Sequence, residues 1–196
     1  MEMITSRLRK IEKPGRYFAP FIAPFKKKVS PGSPRILIVF PDLFEVAQSH
    51  TGIKILYSVF VNNGFTTDFG FALKNDAVST VKKESGITSF MHNIKFADFD
   101  FICVSFQYQL QYPAFLKMLH LAGIPVERSE RKNGKYPIII AGGPVMCNPE
   151  PVTQFIDGAF IGEFEASAQA LMTAFKDKKT YDKTLISLSE VPGMYI

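Results

Sequence analysis

The chain alternates continuous apolar runs with segments whose apolar residues recur every three to four positions. Arg35-Ile-Leu-Ile-Val-Phe40, set between Pro34 and Pro41, is an unbroken β-branched and aromatic run. That is the pattern of a strand buried on both faces. From Ser49 to Gly64, Ile53, Leu56, Tyr57 and Phe60 fall at helical spacing, with Gly64 as the stop and Ser49 or Thr51 placed to cap the start. Phe65–Ala72 reads as a second strand weakened by Asp68 and Gly70, and residues 76–95 as a short helix and a loop with little pattern. Asp98–Phe106 is a third strand. Pro113 then opens a helix through Leu116, Leu119 and Ala122 that ends at Gly123. Tyr136–Ala141 is a strand running into Gly142-Gly143-Pro144, and Phe155–Ile161 a short last strand. Gly162-Glu-Phe-Glu165 leads into a helix through Ala168, Leu171, Met172 and Phe175.

Strands alternating with helices over short connections predict an α/β domain. The expected architecture is a flavodoxin-like, Rossmann-like doubly wound sheet of about five parallel strands, in the order 2-1-3-4-5, with helices on both faces. Ligands of such folds bind beyond the carboxyl ends of the strands, where the strand order reverses. Function is therefore expected in the turns 41–52, 105–112, 142–149 and 162–165. Residues 1–34 form a separate arm, 35–178 the α/β domain, and 179–196 a linker.

Composition narrows the classes. The 196 residues are 46% hydrophobic and 21% charged, which is globular rather than disordered. Two cysteines, Cys103 and Cys147, are too few for a disulfide framework or for a self-contained zinc or iron–sulfur site. The longest uncharged run, Phe101–Leu116, contains three glutamines and a proline and is too short for a membrane span. The N-terminus carries no apolar segment closed by a small-residue cleavage site. The expectation is a cytoplasmic, reduced protein that does not enter a membrane. The net charge of +5 is uneven: residues 1–34 carry +6 and the remainder −1. The arm is interrupted by prolines 14, 20, 24, 31 and 34 and studded with Tyr17, Phe18, Phe21, Ile22 and Phe25. It is expected to lie along a surface, with self-association through its aromatic residues as one use. Lys26, Lys27 and Lys28 make a motif-free basic run, so nucleic acid is not the expected partner.

The turns exclude several chemistries. Pro41-Asp-Leu-Phe-Glu-Val follows the first strand where a dinucleotide fingerprint would need glycines. Neither a G-x-x-x-x-G-K-[ST] phosphate loop nor a G-x-S-x-G nucleophile elbow is present. The ordered set that remains is distinctive. It comprises Phe40-Pro-Asp42 with Glu45, Ser49-His50-Thr-Gly52 and Ile55-Leu-Tyr57, then Ser105-Phe-Gln107-Tyr108, Ala141-Gly-Gly-Pro144, Asn148-Pro-Glu-Pro151, Asp157 and Gly162-Glu163-Phe-Glu165. From about residue 14 to 196 this series resembles the N-terminal cobalamin-binding-like domain of radical SAM proteins, in an uncharacterised branch of that superfamily.

The resemblance implies a partner: a barrel-like radical SAM domain of the same polypeptide, carrying the [4Fe–4S] cluster and S-adenosylmethionine. Its Cys-x3-Cys-x2-Cys motif is not in this chain, so the chain is expected to be a fragment or to have lost the chemistry, and to lack catalytic residues of its own. Val191-Pro-Gly-Met-Tyr-Ile196 looks like the family's linker toward the barrel. The resemblance also makes cobalamin the candidate cofactor. The candidate binding residues are Ser49, His50, Gly52, Ser105, Gln107, Tyr108, Gly142, Gly143, Pro144, Gly162 and Glu163. The Asp-x-His-x-x-Gly motif of cobalt-ligating relatives is absent, since Asp42 and His50 stand eight apart.

Each candidate has a structural alternative. His50 is either a ligand or base, or a helix-start residue bonded to backbone. Gly142-Gly143 either clears room for a ligand or turns the chain. Glu163 and Glu165 sit where a helix dipole favours acids in any case. Tyr108 and Tyr112 either stack on a flat ligand or pack against the barrel. Cys103 reads as a buried inert thiol and Cys147 as a lone exposed one without a paired histidine, while His92 and His120 have no partner at ligand spacing. The alternative function is a free-standing ligand- or protein-binding module of the same fold.

Overall fold

The computed structural model describes residues 11–12, 32–79, 86–132, 134–177 and 179–196. The aromatic residues and lysines expected to dock the N-terminal arm lie outside them. Six strands form one sheet: β1 (Arg35–Phe40), β2 (Thr66–Phe71), β3 (Phe101–Ser105), β4 (Ile138–Gly142), β5 (Gly158–Phe160) and β6 (Met194–Tyr195). Their order is 2-1-3-4-5-6, with the first five parallel and β6 antiparallel to β5. The four longer helices are α1 (Thr51–Asn62), α2 (Gln111–Ala122), α3 (Phe164–Lys176) and α4 (Tyr181–Ser189). The doubly wound α/β sheet expected from the sequence is the observed fold, with a sixth strand added.

The two-residue period of each strand splits the core into two layers. Ile36, Ile38 and Phe40 face one way, packing with Ile53, Tyr57 and Phe60 of α1, Phe175 of α3 and Leu185 and Leu188 of α4. Leu37 and Val39 face the other way, with Phe115, Met118 and Leu119 of α2. Helices α1 and α2, which follow β1 and β3, therefore lie on opposite faces. This places the reversal of strand order between β1 and β3, paired in register from Ile36↔Phe101 to Val39↔Val104.

The two residues that weakened β2 in the sequence pattern are accommodated by tertiary contacts. Asp68 is fully buried, and its carboxylate accepts from the backbone N–H groups of Phe69 (2.7 Å), Met91 (3.0 Å) and His92 (2.9 Å). His92 Nδ1 lies 3.0 Å from Asp68 Oδ2. At Gly70, Phe96 fills the place of a side chain: a Cβ there would stand 2.5 Å from its ring.

Residues 179–196, expected to form a linker, instead carry α4 and β6. The reason is a buried stripe that the segment's polar composition hides: Tyr181, Leu185 and Leu188 recur at i, i+4 and i+7 on α4. The segment is further tied by Ser167 Oγ donating to the Pro192 carbonyl (2.8 Å) and Ile161 N–H donating to that of Gly193 (2.7 Å).

The amino edge of the sheet, where β4 and β5 begin, is closed by a buried polar cluster. Asp157 has no exposure and accepts from Ile139 N–H (2.7 Å) and the Tyr181 hydroxyl (2.8 Å). The fully buried Arg131 guanidinium lies 3.4 Å from Asp157 Oδ1 and donates to the carbonyls of Pro125, Val126 and Phe155. Burial, then the Asp157 charge, pushes the Tyr181 phenol up to about 12. A small cavity opens beside this cluster, lined by Arg128, Glu150 and Tyr195 among others.

Candidate functional site

The opposite, carboxyl edge holds the four turns singled out in the sequence. Turn 41–52 leaves β1 and turn 105–112 leaves β3, so these two flank the reversal point. They meet there: the Tyr108 hydroxyl donates to Asp42 Oδ2. Asp42 is held from behind, Oδ1 accepting from Leu43 N–H (2.7 Å) and its carbonyl from Ala72 N–H (2.9 Å). The bond to Asp42 is the first cause raising the Tyr108 phenol above its usual range; burial and the Asp42 charge add to it, and the Gln111 side chain acts the other way.

Behind Tyr108 runs a polar relay. Gln107 Nε2 donates to Ser105 Oγ (2.9 Å), and Gln107 N–H donates to Gln111 Oε1 (2.7 Å). Gln111 is 1% exposed, yet its Nε2 has no hydrogen-bond partner among the described residues. A buried donor left in this state costs on the order of 1–3 kcal/mol. His50 Nδ1, in the facing turn, is likewise buried and unpartnered. Its ring lies 5.1 Å from that of Phe40 and folds over Gly52, where a Cβ would come within 3.0 Å of it. Gly52 thus makes room for the imidazole.

Both helices that start at this crevice are uncapped by side chains and carry no acid in their first turn. His50, not Ser49 or Thr51, occupies the N-cap position of α1. Ser49 donates instead to the Val46 carbonyl (2.9 Å). Pro113, expected to open α2, lies in its third position.

The glycine pair divides into two roles. Gly143 has φ +107°, and a Cβ there would fall 2.2 Å from the Phe106 carbonyl oxygen. It makes the turn and admits the neighbouring backbone, and Phe106 N–H donates to the Gly142 carbonyl (2.8 Å). Gly142 has open space beside it. Pro144 is exposed and opens the short helix Pro144–Cys147. Gly162 (φ +116°) and Glu163 are exposed at the start of α3, apart from the relay.

Asp42, Tyr108, Gln107, Ser105 and Gln111 are thus joined in one polar group. Gln111 was not singled out from the sequence. Its signal is the four-residue spacing from Gln107 at a helix start, which returns its amide over the preceding turn. Cys103 stands apart from this group, its thiol pushed up to about 12 by burial, as an inert side chain. Exposed apolar side chains ring the edge: Val46 at 46%, Tyr108 at 40%, Leu110 at 84% and Ile161 at 39%.

Fold and site together define a doubly wound α/β module with a polar crevice at its reversal point and an apolar rim. Residues 52–196 match the family of radical SAM proteins' N-terminal domains, and the chain belongs to that family. Membership implies a C-terminal radical SAM domain in the same polypeptide. Asp42, Ser49 and His50 precede the matched stretch. Among curated proteins and solved structures, none matches the chain. No helix of the described residues is long and apolar enough to cross a membrane.

Proposed function

We propose that this domain is the accessory module of a radical SAM enzyme and sets its carboxyl edge against the radical SAM domain. The carrying observation is the apolar rim. Val46, Leu110 and Ile161, from three different connections, are exposed together with Tyr108 around a polar crevice. Apolar side chains gathered on one functional edge favour a partner that removes them from water. The catalytic chemistry belongs to the partner domain; this chain shapes and covers the approach to it.

Hydrogen exchange tests the reading. The amides of 43–50 and 107–112 are compared in this chain alone and in the polypeptide that includes the radical SAM domain. Protection of these turns in the longer chain is expected. Unchanged exchange there, with protection elsewhere, would move the interface to another face.

A second reading, cobalamin held over the same edge, is favoured by the buried, unpartnered His50 Nδ1 and by the open space at Gly142. Two observations oppose a ligand tail inserted between the turns. The Phe106 carbonyl already fills the space at Gly143, and the Ser105 hydroxyl is already engaged by Gln107. Titration with hydroxocobalamin, followed by desalting and an absorbance spectrum, separates the cases. A retained, shifted corrin spectrum that alanine at His50 alters supports this reading; a colourless, folded protein rejects it.

A further inference from the structure

The small cavity at the amino edge gathers two opposite charges that do not meet. Its volume is about 150 Å³, and Arg128, Glu150 and Tyr195 line it together with the apolar Ile156, Ala159 and Ile196. Arg128 brings a surplus positive charge. Its Nε lies 3.8 Å from Asp157 Oδ1, the same oxygen that faces the Arg131 guanidinium at 3.4 Å. Two guanidinium groups thus share one carboxylate. Arg128 also lowers the Tyr181 phenol, against burial and the Asp157 charge. Arg131 is sealed in, whereas the Arg128 side chain is 27% exposed and lines the cavity, so the surplus is presented there. Glu150 brings the opposite charge. The Tyr195 hydroxyl donates to its Oε1 (3.0 Å), which leaves Oε2 for another donor. Among the described residues no ion pair joins Glu150 to Arg128. Gly158 lets the apolar wall close up, since a Cβ there would stand 2.9 Å from Ile196 Cδ1.

Charge and size select the ligand. A plain anion would pair with Arg128 and meet Glu150, and a plain cation would meet the reverse conflict. A molecule with a carboxylate and an ammonium on one carbon satisfies both. At ~30 Å³ per water the cavity holds about five waters, the size of a small amino acid. We propose that this cavity binds a free α-amino acid with a short aliphatic side chain, its carboxylate on Arg128 and its ammonium on Glu150 Oε2. The aliphatic side chain lies against Ile156, Ala159 and Ile196. The site is on the edge opposite the apolar rim, so it stands or falls independently of the accessory role.

The test is a titration of the 196-residue chain, methyl-labelled at isoleucine and followed by NMR. The probes are L-alanine, acetate and ethylammonium at equal ionic strength. Alanine at millimolar concentration is expected to move the Ile156 and Ile196 methyl signals and to leave that of Ile55, on α1, in place. Acetate and ethylammonium should leave all three in place at the same concentration. E150Q keeps an acceptor for the Tyr195 hydroxyl and removes the charge; it should bind alanine roughly threefold more weakly. R128M should bind it roughly tenfold more weakly. If R128M does not fold, E150Q decides alone. The alanine response should persist in the polypeptide that includes the radical SAM domain. Cavity methyls unmoved by alanine, an acetate response equal to that of alanine, or unchanged alanine affinity in E150Q would each overturn the proposal. So would loss of the response in the longer polypeptide, which would make the cavity part of an interface.

Discussion

The two ends of the sheet differ in what their polar side chains tie together and in how much apolar surface they leave exposed. At the amino edge, both oxygens of the Asp157 carboxylate are used, by Ile139 N–H on one side and by Tyr181 and Arg131 on the other. Among the described residues each end also buries two nitrogens without a hydrogen-bond partner, Nε of Arg128 and Arg131 at the amino edge and Gln111 Nε2 and His50 Nδ1 at the carboxyl edge. One end is closed by its own side chains and ties α4 to the start of β5. The other carries a phenol bridging two turns and an apolar rim. The parallel strands add to the asymmetry, since every helix that follows one of them begins near the carboxyl edge.

The comparison breaks most readily at Asp157. Asp157→Ala leaves the buried Arg131 guanidinium without its counter-charge and should destabilise the domain by about 3–5 kcal/mol, read by urea unfolding. An unchanged midpoint would mean that the carbonyls around Arg131 suffice. The glycine pair supplies the next largest effect and an internal control. Gly143→Ala should lose about 2–4 kcal/mol, because φ +107° and the Phe106 carbonyl both oppose a Cβ. Gly142→Ala, facing open space, should stay within about 0.5 kcal/mol. Equal losses at both positions would erase the distinction between a turn glycine and a clearance glycine.

Tyr181→Phe sharpens the amino edge through pH. The phenol's pKa is raised from 10.0 to about 12, so the folded state holds the proton more tightly than the unfolded chain. Its stabilisation is full below pH 10 and is lost as the pH rises from 10 toward 12. Wild type should therefore lose stability across that window more steeply than Tyr181→Phe. Cys103 contributes equally to both proteins, so the difference isolates the phenol. At neutral pH the variant should lose about 1 kcal/mol. The smallest effect belongs to the carboxyl edge: Tyr108→Phe removes a part-exposed bond and should change stability by less than about 0.5 kcal/mol. A larger loss would make Tyr108 a structural tie like Tyr181 rather than a surface contact between two turns.

Much of this was legible in the chain. The apolar run of β1 and the helical spacing of α1 announce themselves locally, because a strand buried on both faces and an amphipathic helix are each patterns of neighbouring residues. All five members of the crevice group lie in the two turns that the topology singles out, and Ser105, Gln107 and Tyr108 stood among the candidates. The α4 stripe was hidden by the polar residues around it, and β6 is too short to show a period. Strand alternation and turn positions follow from local pattern, and from them come the doubly wound sheet and the edge where function is expected. Which polar atoms would be satisfied was decided only by the tertiary structure. Tyr108 meets Asp42 across 66 positions and Tyr181 meets Asp157 across 24, and no local pattern encodes a contact that exists only once the sheet has brought distant turns side by side.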